Sequence, residues 1–341
     1  MIDPSPTLFD LDRRLTTRAV ADRVRASGVA GLRDAVRRGD DTRYQEVVCR
    51  TALNKVSGMP FGWTLNPYRG CTHGCHFCFA RRYQTQFELG PGDDFSSLVL
   101  VKVNFPEVLA AELARPTWRA ASVAFGTATD PYQPIEGRTR ITRRSLKVLC
   151  GRPTPIGLIT RGPLVVRDAD VLAELAAKTS VTVTFSIPTV DEDAWQRLEP
   201  GTAHPLQRLR AVNALAKAGV DTGVLMAPIV PGLSSHPSKL ERTVKAIVDH
   251  GAGYVGAMLL HLEGGTRQHF LDFLSREYPH MVERYGRLYA GKHASVAYRR
   301  QFRAVMGTLK TRYGVTARPA SATPQPAAPA GSSSLQRRFS F

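Results

Sequence analysis

Val181-Thr-Val-Thr-Phe-Ser-Ile187, then Pro205-Leu-Gln-Arg-Leu-Arg-Ala-Val-Asn-Ala-Leu-Ala-Lys-Ala218, Gly219 and Val220-Asp-Thr-Gly-Val-Leu-Met226, form the stretch from which the fold is read. The first run is rich in Val, Thr and Phe, which suit a pleated strand. The second carries Leu206, Leu209, Val212 and Leu215 at helical spacing. Gly219 is a helix-ending residue, and the next strand begins at once. The unit then repeats: Pro237–His250 carries Leu240, Val244 and Ile247, Gly251 closes it, and Tyr254–Leu260 reads as a strand. Helix, glycine cap, strand is the pattern of βα repeats built on a parallel sheet.

The same alternation extends toward the N-terminus. Asp168 suits a helix N-cap, with Val171, Leu172 and Leu175 on one face. Ile156–Thr160 and Ser122–Phe125 read as buried strands, Arg140–Cys150 as a helix and Pro106–Leu113 as a shorter one opened by proline. Leu98–Val103 is an apolar run, Thr64–Asn66 a short strand and Thr51–Gly62 a loop leading into the core. About six strand–helix units fit an α/β fold, a partial (β/α)6 TIM-type barrel with N-terminal and C-terminal helical extensions. The expected organisation is an arginine-rich arm over residues 1–50, the barrel over 51–268, a helical cap over 269–316 and a disordered tail over 317–341, rich in Pro, Ala and Ser. In the arm, Val20, Val24, Val29 and Leu32 fall at mixed spacings, and Arg13, Arg14, Arg18, Arg23 and Arg25 read as a solvated face or phosphate contacts.

The chain has 341 residues and a formal net charge of +17. It holds no apolar run of membrane-spanning length and no basic-then-apolar leader, so a cytoplasmic protein with no membrane partner is expected. The charge admits nucleic acid as a partner, but it equally serves solubility. Five cysteines with three clustered do not form a disulfide framework. Cys49 and Cys150 read as small buried hydrophobes.

The clustered three are Cys71-Thr-His-Gly-Cys75-His-Phe-Cys78, a C-x3-C-x2-C loop placed just after the first barrel strand. On such barrels that is the face where chemistry sits. Two ligand sets remain open on the residues alone. Zinc would take the three thiolates with His73 or His76, giving a non-catalytic, zinc-stabilised binding protein, although no second cysteine knuckle is present. An iron–sulfur cubane would take three thiolates and keep one iron open for a small molecule.

The longer stretch Asn66-Pro-Tyr-Arg-Gly-Cys71-Thr-His-Gly-Cys75-His-Phe-Cys78-Phe-Ala-Arg resembles the cluster loop of radical S-adenosylmethionine (SAM) enzymes, in their spore photoproduct lyase-like branch. Phe125-Gly-Thr-Ala-Thr-Asp130-Pro-Tyr-Gln133-Pro-Ile-Glu136, Leu158-Ile-Thr160-Arg161 and Val166-Arg167-Asp168-Ala-Asp170 carry the resemblance further, over about residues 51–274. The resemblance implies a 4Fe–4S cluster on Cys71, Cys75 and Cys78, with SAM on the open iron. It implies one-electron cleavage of SAM to methionine and a 5′-deoxyadenosyl radical, which takes hydrogen from an unidentified substrate. Phe77 matches a position near the adenine, Thr129 and Asp130 the contact to SAM's amino group, with Gln133 and Glu136 as further candidates there. Arg161 matches the partner of SAM's carboxylate, and Ser186 a polar group near the ribose. Met226–Gly232 is a candidate lining of the adenine pocket. The electron donor would be a flavodoxin or ferredoxin. A DNA-lesion lyase or nucleic-acid-modifying enzyme is the related alternative. One departure weakens it: true spore photoproduct lyases use a cysteine near the second-strand loop as hydrogen donor, and Val123–Ala128 contains none. No residue is assigned there as catalytic in the hydrogen-abstraction step.

Overall fold

The computed structural model describes residues 16–27, 36–38, 42–59, 61–87, 90, 92 and 94–315. The strands in chain order are β1 (Val36–Arg38), β2 (Thr42–Val47), β3 (Leu53–Lys55), β4 (Trp63–Leu65), β5 (Tyr68–Arg69), β6 (Leu98–Lys102), β7 (Val123–Phe125), β8 (Ile156–Thr160), β9 (Val181–Ser186), β10 (Asp221–Ile229) and β11 (Val255–Leu259). The helices are α1 (Thr17–Ser27), α2 (Asp94–Ser97), α3 (Phe105–Leu113), α4 (Glu136–Thr139), α5 (Ile141–Gly151), α6 (Ala169–Ala176), α7 (Glu192–Leu198), α8 (Pro205–Lys217), α9 (Pro237–Asp249), α10 (Gly264–Glu277), α11 (Val282–Leu288) and α12 (Val296–Arg312).

Six strands, β4, β7, β8, β9, β10 and β11, pair in parallel in that order. This is the expected partial barrel. The crossovers between strands carry helices whose apolar stripes (Leu209, Val212 and Leu215 of α8; Leu240, Val244 and Ile247 of α9) are buried in the main core. Six strands cannot close the ring, and the β4 edge is instead taken by β3, antiparallel. The loop expected over Thr51–Gly62 therefore contains an edge strand. Its start is fixed by buried Glu112 of α3, whose Oε2 accepts from the peptide N–H groups of Ala52 and Leu53 at 3.0 and 2.8 Å.

The apolar run at Leu98 is not a barrel strand. As β6 it pairs in parallel with β2 and antiparallel with β5, in a second sheet ordered β1-β2-β6-β5. The N-terminal extension thus supplies a helix, α1, burying Val20 and Val24, and beyond it two strands. Thr42–Val47 holds Tyr44 and Val47 with two polar residues between them, so it lacks strand alternation, and it lies in an arginine-rich segment. Charge there masks a strand whose sides are buried by β6 and β1. Val29, Leu32, Arg13, Arg14 and the tail from residue 317 lie outside the described residues.

Asp168 does not cap α6 with its side chain. Its carboxylate is drawn instead to Arg143 and Arg167, 3.0 and 2.8 Å away, and accepts from the Tyr132 hydroxyl at 3.0 Å. Charge-assisted bonds to two guanidinium groups outweigh one peptide N–H. Beyond β11 follow α10, α11 and α12, the first beginning at Gly264, within the segment expected to belong to the barrel. Among the described residues no helix is long and apolar enough to cross a membrane.

Candidate functional site

The parallel strands end on one face, and the segments leaving those ends converge there. After β4 and β5 comes the cysteine loop. Gly70 opens it at φ +79°, a conformation glycine adopts without cost, and a Cβ there would lie 2.3 Å from the Leu98 carbonyl oxygen. The loop is then gripped from below and behind. Arg81, 1 % exposed, donates from Nε to the Cys75 carbonyl at 3.0 Å, from Nη2 to the Gly74 carbonyl at 2.7 Å and from Nη1 to the Gly92 carbonyl at 2.7 Å. The segment after α7 grips the other side. The His76 N–H donates to the Leu198 carbonyl at 3.1 Å, and the Gly201 N–H to the His73 carbonyl at 3.1 Å.

Gly201 lies so close that a Cβ would sit 2.2 Å from the Thr72 carbonyl oxygen. Gly201→Ala is therefore expected to cost about 1–3 kcal/mol, the range for overpacked sites, and to lower iron uptake. Urea denaturation of the metal-free chain and iron content after reconstitution check both; unchanged values for both would mean that the contact yields freely.

Cys71 and Cys75 are buried and Cys78 half-buried. Burial pushes the Cys75 thiol up, with Arg161 pulling the other way, and burial likewise raises Cys78. Thiols held protonated in this way give up their protons when a metal provides the charge. Among the described residues no three His, Cys, Asp or Glu side chains are gathered as one metal ion would require. A cubane makes no such demand, because each thiolate meets its own iron. Three thiols on one braced loop fit that donor set.

The segment after β7 is tied to the loop residue by residue. Asn66 Oδ1 accepts from the Ala128 N–H at 2.7 Å. Thr129 Oγ1 donates to the Gly70 carbonyl at 2.7 Å, and Gln133, fully buried, accepts from the Thr72 N–H at 3.2 Å and donates to Thr129 Oγ1 at 3.0 Å. Asp130 Oδ1 accepts from Thr160 Oγ1 and the Tyr132 N–H at 2.7 and 2.8 Å; Oδ2 accepts from the Arg161 N–H at 2.6 Å. Oδ2 also lies 3.4 Å from Nδ1 of buried His73. Burial opposes ionisation of Asp130, and His73, Thr160 and the Arg161 amide outweigh it, leaving its carboxyl below the usual range. Gln133 and Glu136 face inward: Glu136 Oε1 accepts from Arg167 at 2.8 Å, and Glu136 Oε2 from the Thr142 N–H at 3.0 Å and from the Tyr68 hydroxyl.

Arg161 comes directly after β8. Its guanidinium carbon stands 5.5 Å from the centre of the Phe77 ring, itself packed among Cys75, Leu198 and Val230. Nε donates to Glu199 Oε1 at 2.8 Å and Nη2 to the Ala227 carbonyl at 3.1 Å. Ser186, ending β9, donates to the same carbonyl at 2.9 Å. Phe77, Thr129, Asp130, Arg161 and Ser186 are thus joined to the cysteine loop through one continuous set of contacts across the strand ends.

Reasoning from sequence missed Arg81, Glu199 and Arg208. Arg81 stands three residues after Cys78, the one signal available for it. Glu199 and Arg208 meet only through the fold. Outside the loop, Cys150 on α5 donates its thiol to the Val171 carbonyl at 3.5 Å, and Cys49 lies beside Asn104, so neither belongs to this constellation.

Comparison with known proteins agrees with this architecture. The family described as Radical SAM superfamily matches residues 65–247, more than half of the chain. An uncharacterized protein of Mycobacterium tuberculosis is 38% identical over 278 residues, covering 80% of this chain and 82% of that one. An uncharacterized protein of Methanocaldococcus jannaschii is 24% identical over 263 residues, covering 76% and 89%. Among solved structures, spore photoproduct lyase complexed with dinucleoside spore photoproduct superposes with a TM-score of 0.59 at 16% identity, covering 79% of each chain. That likeness is one of fold.

Proposed function

This chain belongs to the radical SAM superfamily, and on that premise we propose that it is an enzyme that holds a 4Fe–4S cluster on Cys71, Cys75 and Cys78 and reductively cleaves SAM. The observation that carries the reading is the braced loop: three thiols within eight residues, at the strand ends, with a guanidinium and an aromatic ring beside them. When bound, cluster and SAM supply a one-electron cleavage that yields methionine and a 5′-deoxyadenosyl radical able to take hydrogen from a substrate. The chain's own residues orient these groups. Arg161 pairs the carboxylate of SAM, since a guanidinium offers two parallel donors. Phe77 lies against the adenine, and Ser186 stands toward the ribose. The Thr127–Asp130 segment borders the amino group, with Thr129 and Asp130 acting through the bonds that fix it. The electron comes from a flavodoxin or ferredoxin.

Anaerobic reconstitution and then addition of SAM and dithionite test this. A brown protein that forms 5′-deoxyadenosine is expected. Zinc near one per chain with little iron and sulfide would replace the reading with a zinc-stabilised binding protein.

One observation favours nucleic acid as the substrate class. Residues 282–312 carry Arg284, Arg287, Lys292, Arg299, Arg300, Arg303, Lys310 and Arg312 against Glu283 alone. Arg300 and Arg303 lie exposed on α12 with no ion pair among the described residues. A cavity of about 380 Å³ on another face of α12 is lined by Arg284, Tyr298 and Gln301 together with apolar Leu240, Phe302 and Val305. Among the described residues no thiol beyond the three on the loop stands in this site, which argues against repair by the hydrogen-donor route of spore photoproduct lyase. The expected result is nucleic-acid binding that weakens steeply with salt, with a log–log slope shallower by about two in the Arg300→Ala/Arg303→Ala protein. No binding at low salt would remove this substrate class.

A further inference from the structure

Behind the ends of β8, β9 and β10 runs a buried line of charge: Arg161, Glu199, Arg208. Glu199 is 1 % exposed and Arg208 fully buried. Arg208 Nη1 and Nη2 donate to the two Glu199 oxygens at 3.2 Å each, and Nη1 also reaches the Ser186 carbonyl at 2.9 Å. Burial opposes ionisation of Glu199; Arg208 and then Arg161 outweigh it and keep the carboxyl below its usual range. Arg208 and Glu199 compensate each other in the interior, and the net positive charge of the line is left on half-buried Arg161, where an anion is favoured.

Glu199 occupies one side of the Arg161 guanidinium, at Nε. Ala227 takes one Nη2 hydrogen, and Asp130 holds the peptide N–H. Nη1 and the second Nη2 hydrogen bond to no group among the described residues. Nη1 belongs to the end-on edge of the fork, an edge that offers a carboxylate parallel donors.

We infer that Glu199, braced by Arg208, is a positioning residue that fixes the Nε side of Arg161 and so presents its end-on edge to the carboxylate of SAM; this rests on the reading of Arg161 above. Arg208 matters because it holds Glu199 in place and draws off part of its charge, so Arg161 keeps enough positive field for a second carboxylate. If Glu199 merely competed for Arg161, removing its charge would tighten SAM binding. The positioning role has the opposite sign.

The test is equilibrium dialysis of radiolabelled SAM with the anaerobically reconstituted full chain, alongside iron and sulfide content. Glu199→Gln keeps the size and removes the charge. It is expected to raise the SAM dissociation constant about tenfold with cluster content unchanged. In an Arg161→Ala background the same substitution is expected to add less than about twofold, because the effect runs through Arg161. Equal or tighter binding by Glu199→Gln overturns the inference, as does a full further loss in the Arg161→Ala background. If Glu199→Gln takes up no cluster, Glu199→Asp decides: weaker SAM binding by the loaded protein supports positioning, and parental binding overturns it. Failure of the unaltered chain to bind SAM would instead undo the proposed function.

Discussion

Cys75→Ala should yield a folded, colourless protein. After reconstitution, iron and sulfide are expected to fall from about four each per chain to a small fraction of that, and 5′-deoxyadenosine formation to background. The reason is the number of donors. One loop offers three thiols, and neither Cys49 nor Cys150 stands within its reach. Loss of one leaves an iron without its thiolate, and the groups around residue 75, among them the guanidinium of Arg161 and carbonyls already taken by Arg81, supply no thiolate in its place. The fold itself should tolerate the change. The substitution removes one sulfur from a small side chain, and the carbonyl of residue 75 stays available to Arg81. Circular dichroism matching the parent separates loss of the cluster from loss of structure. A Cys75→Ala protein that keeps a full iron and sulfide complement would overturn the ligand set.

Arg167→Ala should destabilise the metal-free chain by about 3–5 kcal/mol, the cost of leaving a buried charge without its partner. Against a typical total of about 5–15 kcal/mol, that is a large share. Arg167 bonds two carboxylates that are both fully buried: Nη2 to Glu136 Oε1 and Nε to Asp168 Oδ1, each at 2.8 Å. Without it, among the described residues Asp168 keeps Arg143 as its one cation beside the Tyr132 hydroxyl, and Glu136 keeps neutral donors. The disturbance should travel upward. Glu136 receives the Tyr68 hydroxyl, just before the cysteine loop, and Asp168 receives Tyr132, two residues after Asp130. Reduced SAM affinity is therefore expected together with the lower urea midpoint. A loss under about 1 kcal/mol, the scale of a neutral hydrogen bond, would mean that the two carboxylates do not depend on Arg167.

The barrel was legible where local and global signals agreed. Leu209, Val212 and Leu215 mark one face of a helix, Gly219 ends it, and Val220 starts a strand, all within a single unit. The three-cysteine spacing is likewise a short local pattern, and the fold sets it at the strand ends. What stayed hidden depends on partners distant in sequence. Thr42–Val47 is a strand only because β6 lies beside it, more than fifty residues later. Asp168 was expected to cap a helix on local grounds, and two arginines claim it instead. Arg161 stood out by its place in a family pattern. Glu199, which holds its side chain, carries no pattern of its own and becomes visible only when α7, α8 and β8 are brought together.

The three carbonyl bonds of Arg81 have a consequence for the order of assembly. They are made by protein groups alone, and they brace the turn of the cysteine loop. In small zinc domains the metal organises the chain and its removal unfolds it. Here the polypeptide itself braces the turn through Arg81, so a cluster bound as proposed would meet a seat already shaped by protein groups.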